Sequence, residues 1–121
     1  MTREEFDRYC DNLKATTNVI QWGGASVWKV GDKIFAICSD WGPDGNYGPE
    51  QKISFKCSDL SYQILCELPD IIPAPYLARA KWVQITKPTV LPDADLQDYI
   101  ATAHSLIAGK LPRKVREELG L

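Results

Sequence analysis

The chain holds one histidine, one methionine and four cysteines, and no two of the cysteines form a Cys-x-x-Cys pair. Zinc-site spacing is therefore absent, and His104 is the sole imidazole available to any metal or acid-base chemistry. Cys10, Cys38, Cys57 and Cys66 each have apolar neighbours in sequence, such as Phe6 and Leu13 around Cys10 and Leu65 beside Cys66. They read as buried small hydrophobes rather than disulfides or nucleophiles. No apolar run approaches the length of a membrane span. The opening residues Met1-Thr2-Arg3-Glu4-Glu5 are charged with no apolar segment behind them, so a secretory leader is not expected. A cytoplasmic protein without membrane contact is the expectation. An excess of positive charge is also missing: 14 basic residues face 16 acidic ones, for a net charge of -2, where a nucleic-acid-binding domain usually shows a basic balance or a concentrated basic face.

What remains is an ordinary globular composition. With 121 residues, 45% hydrophobic and 25% charged, the chain is long enough for one core and too short for two, so residues 1–121 are read as a single domain. Phe6, Tyr9, Cys10 and Leu13 fall on one helical face within residues 3–14, and Thr2 with Glu5 forms a capping box ahead of them. After Thr16-Thr17 the chain becomes aromatic and β-branched, and strands are expected near 19–22, 26–30, 33–39, 51–57 and 81–87. Gly31-Asp32, with glycine first, suits a type II′ hairpin turn. Residues 40–50, rich in glycine and proline, are expected to form a loop. Along 52–57, Ile53, Phe55 and Cys57 point one way while Lys52, Ser54 and Lys56 point the other, which predicts one polar sheet face.

Ser58 or Asp59 caps a second helix carrying Leu60, Ile64 and Leu68, which Pro69 ends. Residues 69–80, with three prolines, read as an extended connection. Pro92-Asp93 opens a third helix with Leu96, Tyr99, Ile100, Ala103 and Ile107 on its face, stopped by Gly109, and Pro112 starts a short terminal helix. The order α-β-β-β-β-α-β-α-α implies an α+β two-layer sandwich, a largely antiparallel sheet with helices on one face.

Catalytic chemistry finds no motif. His104 lies close to the apolar stripe of the third helix, where a hydrogen-bonded imidazole at the core edge is the simpler reading than a general base. The loop Gly42–Gly48 lacks the Gly-Lys-Ser/Thr ending of a phosphate loop and opens no helix. Asp40, Asp44 and Glu50 do not fit EF-hand spacing. No catalytic residue, metal site or cofactor is expected.

The segments Ser26-Val27-Trp28-Lys29-Val30-Gly31-Asp32-Lys33-Ile34-Phe35-Ala36, Ile53-Ser54-Phe55-Lys56, Pro75-Tyr76 with Lys81-Trp82-Val83, and Leu91-Pro92-Asp93 resemble the MmcQ/YjbR family of small bacterial proteins. The similarity continues through the helix Leu96–Ile107 into Leu111-Pro112-Arg113-Lys114. These are hydrophobic and glycine landmarks, which identify a fold better than an activity. The resemblance implies a CyaY-like, or secretion-chaperone-like, two-layer fold. It also implies DNA binding through paired hairpin projections described as a double wing. Where the family often has a Ser-Tyr pair in its third helix, this chain has Ala103-His104.

Charge is distributed unevenly: residues 1–78 carry 7 basic and 11 acidic side chains, whereas residues 79–116 carry 7 basic and 3 acidic. Lys52 and Lys56 on the polar face, with Lys29, Lys33, Arg79, Lys81 and Lys87 on neighbouring segments, are the candidate phosphate contacts, and Trp41 and Tyr47 the candidate wing aromatics. The same lysines serve equally well to solvate an open sheet face and protect its edges. The expected partner is DNA, held by weak, non-specific electrostatics on a monomer. The alternative is a protein-interaction or chaperone-like module that uses the open sheet face, or pairs an edge through residues 69–80.

Overall fold

A computed structural model describes the backbone of residues 1–41 and 47–121, and side chains outside 41–50. The chain begins with helix α1 (Arg3–Asp11). Thr2 Oγ1 accepts from the Glu5 amide at 3.2 Å while Glu5 Oε1 accepts from the Thr2 amide at 3.1 Å, which completes the capping box. Ala15, in a left-handed conformation, ends the connection from the helix. A meander follows: β1 (Thr16–Gln21), β2 (Ala25–Val30), β3 (Lys33–Trp41) and β4 (Tyr47–Lys56). Helix α2 (Asp59–Leu65) is capped by Ser58, whose hydroxyl accepts from the Ser61 amide. Strand β5 (Ile71–Pro73), a 3₁₀ turn at Ala78–Ala80, strand β6 (Trp82–Ile85), and helices α3 (Asp93–Ala108) and α4 (Arg113–Leu119) complete the chain. The six strands form one antiparallel sheet in the order β1-β2-β3-β4-β6-β5.

The α+β layering expected from the pattern is present, with four local corrections. Strand β1 begins at Thr16 rather than near Val19, because the edge position pairs Thr16 and Thr17 with Val30 and Lys29 and β-branched residues suit such a partly exposed surface. The extended connection at 69–80 contains the edge strand β5, whose three residues pair with β6 and are too few to show a period. The Gly31-Asp32 turn is type I′, since both residues have positive φ, 55° and 64°, and aspartate tolerates that conformation. The span read as a loop is also shorter: β3 and β4 extend to a Trp41–Tyr47 pair.

The helices cover one face. Phe6, Cys10, Trp28, Phe35, Cys38, Ile53, Phe55, Val83, Ile85, Leu96 and Ile100 pack together between α1, α3 and the sheet. The second face was expected to be polar and open, and at its centre it is closed. Val27, Ile37, Ser54 and Gln84 are buried there, and Ala74, Leu77 and Trp82 form a smaller apolar cluster with Ala25, Val27 and Ile37. The connection between β5 and β6 acts as a strap over that face.

Candidate functional site

In an antiparallel sheet, alternate connections lie at opposite ends. The β1–β2 turn at Trp22–Gly24 and the approach to the β3–β4 connection share one end, called here the Trp22 end. The Gly31-Asp32 turn, the start of β1, the β4–α2 junction and the β5–β6 connection share the other, the Gly31 end. Both long helices run from the first end to the second. Met1–Glu4 share a shallow cleft with Gln51 and Pro88, and the Met1 ammonium lies 3.1 Å from Asp93. At the opposite end Leu111 closes on Gly31, and His104 Nε2 donates to the Lys14 carbonyl at 2.7 Å.

This geometry divides the residues picked out by sequence. Lys29, Lys33, Lys56, Arg79 and Lys81 lie at the Gly31 end, whereas Lys52, Lys87 and the Trp41–Tyr47 pair lie at the Trp22 end. Lys52 stands opposite Ser39, with Nζ 3.5 Å from the Asp40 carbonyl. The side chains of Trp41 and Tyr47 lie outside the described residues. Exposed Trp22, at φ 53°, adds an aromatic to that end.

The Gly31 end gathers further cations that the sequence reading did not select. Lys14 is in the α1–β1 connection, Lys110 follows α3, and α4 brings Arg113, Lys114 and Arg116. Helix α4 lies across this end, because Leu111 before it packs on Gly31 and Gly120 after it meets Lys14. Of the fourteen basic residues, only Arg3, Arg8, Lys52 and Lys87 lie elsewhere. Asp11, Asp32, Asp59 and Glu117-Glu118 are the acids at the Gly31 end. The exposed Arg113–Glu117 pair at 2.9 Å contributes little. Glu4, Glu5, Asp40, Asp93 and Asp95 belong to the Trp22 end, so the net charge of -2 conceals a charge separation along the strands.

Within the basic end the strap is held firmly. The Ala74 amide donates to the Trp82 carbonyl at 3.0 Å and the Trp82 amide returns a bond to the Leu77 carbonyl at 3.3 Å. Lys56, only 9% exposed, donates from Nζ to the Ala80 carbonyl. Burial, followed by the nearby Lys110 ammonium, holds the Lys56 amine below the usual lysine range. Lys56 thus anchors the strap instead of standing free in solvent. Lys81 has φ 62°, and its Nζ sits 4.9 Å from the centre of the Tyr62 ring, a cation–π contact that orients the amine. Arg79 and Lys33 are exposed, and Lys29 is half-buried.

At the tip of the strap the Leu77 amide donates to the Ala74 carbonyl at 3.1 Å, closing a turn with Pro75 at its second position and Tyr76 at its third. The φ of 66° at Tyr76 identifies a type II turn, whose third position ordinarily takes glycine or asparagine. Tyr76 is 93% exposed. The proline marks a turn in the sequence, but nothing local reveals that the turn belongs to a strap laid over the second sheet face.

Among the described residues the groups for other chemistry are kept apart. His104 is buried, its ring edge-on to Phe35 at 5.3 Å. Among the described residues no group of three or more His, Cys, Asp or Glu side chains is placed to hold a metal ion. Burial, first among the causes, pushes the Cys38 and Cys57 thiols up to about 12 and Cys10 higher still, with the Asp7 carboxylate adding to the last; such thiols are inert near neutrality. A cleft of about 430 Å³ between α2 and α3 is lined by Ile64, Leu68, Leu91, Asp95, Asp98 and Tyr99, among others, with no basic side chain in its lining. No helix among the described residues is long and apolar enough to cross a membrane.

The class defined so far is a small α+β domain with helices on one face of a six-stranded antiparallel sheet. The YjbR family model matches residues 11–106, and the chain belongs to that family. Its fold is similar to that of the Deinococcus radiodurans protein DR2400, which carries the DUF419 domain. The TM-score is 0.82 at 23% identity, over 99% of this chain and 88% of that one. It is also similar to a protein from Pseudomonas syringae, with a TM-score of 0.71 at 21% identity, over 88% of this chain and 99% of the other. Among curated proteins, none matches the chain.

Proposed function

We propose that the protein is a non-catalytic cytoplasmic module that binds DNA, taking phosphates on the Gly31 end of its sheet. The observation that carries this reading is the segregation of the cations: Lys33, Lys110 and the strap residues Arg79 and Lys81 approach from three segments, and their neighbour Lys56 is held below its ordinary pKa partly by Lys110. Phosphate at this end relieves that mutual repulsion, and exposed lysine and arginine on rigid backbone suit it. The hairpin end, with its acids, is the poorer phosphate surface. The double-wing reading set its aromatics, Trp41 and Tyr47, at that end and drew its phosphate contacts from both ends; the contact proposed now keeps to the Gly31 end.

A salt-titrated binding assay with duplex and single-stranded DNA tests the proposal. The logarithm of affinity is expected to fall linearly with the logarithm of salt concentration, and each lost contact should shrink the slope by roughly 0.9 on duplex. Lys33→Ala and Lys110→Ala should therefore weaken binding to all sequences, while Lys52→Ala and Lys87→Ala leave it nearly unchanged. Absence of binding at ~50 mM salt, where non-specific electrostatics are strong, overturns the reading. The protein-interaction alternative then takes its place, and the exposed Leu60, Ile64 and Leu68 on and after α2 are the first surface to examine.

A further inference from the structure

Two ordinary reasons for placing a tyrosine are missing at position 76. Burial contributes nothing, because the side chain is 93% exposed whereas Trp28, Phe35, Phe55 and Trp82 are all buried in the core. Backbone preference opposes it as well, since a φ of 66° in a type II turn favours glycine or asparagine. A strained residue persists only where its surroundings fix it, and such positions concentrate at binding sites. Here the surroundings are rigid: the strap is fastened to Trp82 by backbone hydrogen bonds, to Lys56 through the Ala80 carbonyl, and to the second sheet face through Ala74 and Leu77. The ring is therefore carried on a preorganised support, three residues from exposed Arg79 and five from the oriented Lys81.

A bare aromatic ring carried on the same strap as two basic residues, Arg79 and Lys81, matches single-stranded nucleic acid, in which every unpaired base offers a face to stack on and every linkage a phosphate. Duplex DNA keeps its base faces covered and gives the ring nothing comparable. We propose that Tyr76 is the platform on which an unpaired base stacks, with Arg79 and Lys81 taking the flanking phosphates, so that the basic end prefers single strands. This rests on the nucleic-acid reading above and narrows it to a ligand class.

Fluorescence anisotropy with a labelled 12-nucleotide DNA strand, its duplex, and an abasic strand of equal length tests the assignment, using the full chain, Tyr76→Phe and Tyr76→Asn. Asparagine suits the backbone at this position, so the variant is expected to fold. The native chain should bind the normal strand more tightly than the abasic one. Tyr76→Asn should lose about tenfold on the normal strand, within the range known for base–aromatic stacking, and nothing on the abasic strand or the duplex. Tyr76→Phe should match the native chain. Salt-dependent binding that Tyr76→Asn leaves unchanged on the normal strand overturns the stacking assignment while the DNA reading stands. Equal losses in Tyr76→Phe and Tyr76→Asn also overturn it, since the hydroxyl rather than the ring would then be responsible. Failure of the native chain to bind any of the three probes overturns both.

Discussion

Asp7 shows how much one side chain settles. It accepts from the Ser26 hydroxyl at 2.6 Å and from the Trp28 indole at 2.9 Å, fastening α1 to β2, while Ser26 Oγ in turn accepts from Asn18 Nδ2 at 2.9 Å. Hydrogen bonds to a charged group are worth more than neutral ones, and deleting the acceptor strands both donors. Asp7→Ala should therefore cost about 2 kcal/mol, read as a lower urea midpoint with an unchanged slope. Tyr76→Asn should move the other way: relief of an unfavourable φ without loss of buried surface should raise stability by roughly 1 kcal/mol, seen in the same titration. A gain in Tyr76→Asn marks Tyr76 as a position where stability was exchanged for exposure. The thiols add a pH dependence. Cys10, Cys38 and Cys57 have folded pKa values raised above the 9.0 of a free thiol, so the unfolded chain releases their protons first. Their contribution is complete below about pH 9 and falls as pH rises toward 12, by ~1.4 kcal/mol per thiol for each unit in that window. Lys56, whose folded pKa is lowered, acts in the opposite sense, but it is one group against three. Melting temperature should drop between pH 9 and 10.5, and Cys38→Ala should flatten the drop; a level profile would contradict the burial of these groups.

At the scale of the element, the features visible in the sequence were those with a period or a cap. Helix α1 announces itself through Thr2, Glu5 and the Phe6–Cys10 stripe, and β4 through the alternation of Ile53, Phe55 and Cys57 against Lys52, Ser54 and Lys56. Strand β5 had neither, and it exists because β6 supplies its partner. The β2–β3 turn illustrates the middle ground: the glycine was legible, the turn type was not, because Asp32 accepts a positive φ that its residue type only tolerates. At Gly31 a Cβ would meet Leu111 Cδ1 at 2.5 Å, on top of a φ of 55°. Gly31→Ala should cost about 2 kcal/mol from backbone strain and the displaced leucine. In a Leu111→Ala background the penalty should shrink, and a double-mutant cycle by chemical denaturation reads that coupling. Additive penalties would show that Leu111 does not close the turn.

For the whole molecule, position matters more than net charge. Lys33→Glu with Lys110→Glu changes the net charge as much as Lys52→Glu with Lys87→Glu, but the first pair removes cations from the Gly31 end and the second from the Trp22 end. DNA affinity should collapse for the first pair and change little for the second, measured at equal salt. Similar losses in both would mean that overall charge, and not the basic end, governs association.

Residue order by itself determined the layering, since apolar periods of 3.6 and 2 and short turns leave an α+β sandwich as the economical way to bury them. It also supplied the cations and aromatics of the candidate site. Which of them stand together was decided only by the tertiary structure. Lys52 and Lys56, four residues apart on β4, lie toward opposite ends because the strand runs between them, while reversal of direction from element to element brings Lys33, Lys81 and Lys110, far apart in the chain, to one end. The strap adds a second decision of the same kind, since it covers the sheet face that alternation alone had left open and lifts Tyr76 clear of it. Patterning reports which side of an element is buried; where its ends meet depends on pairing between distant segments, and no local period encodes that.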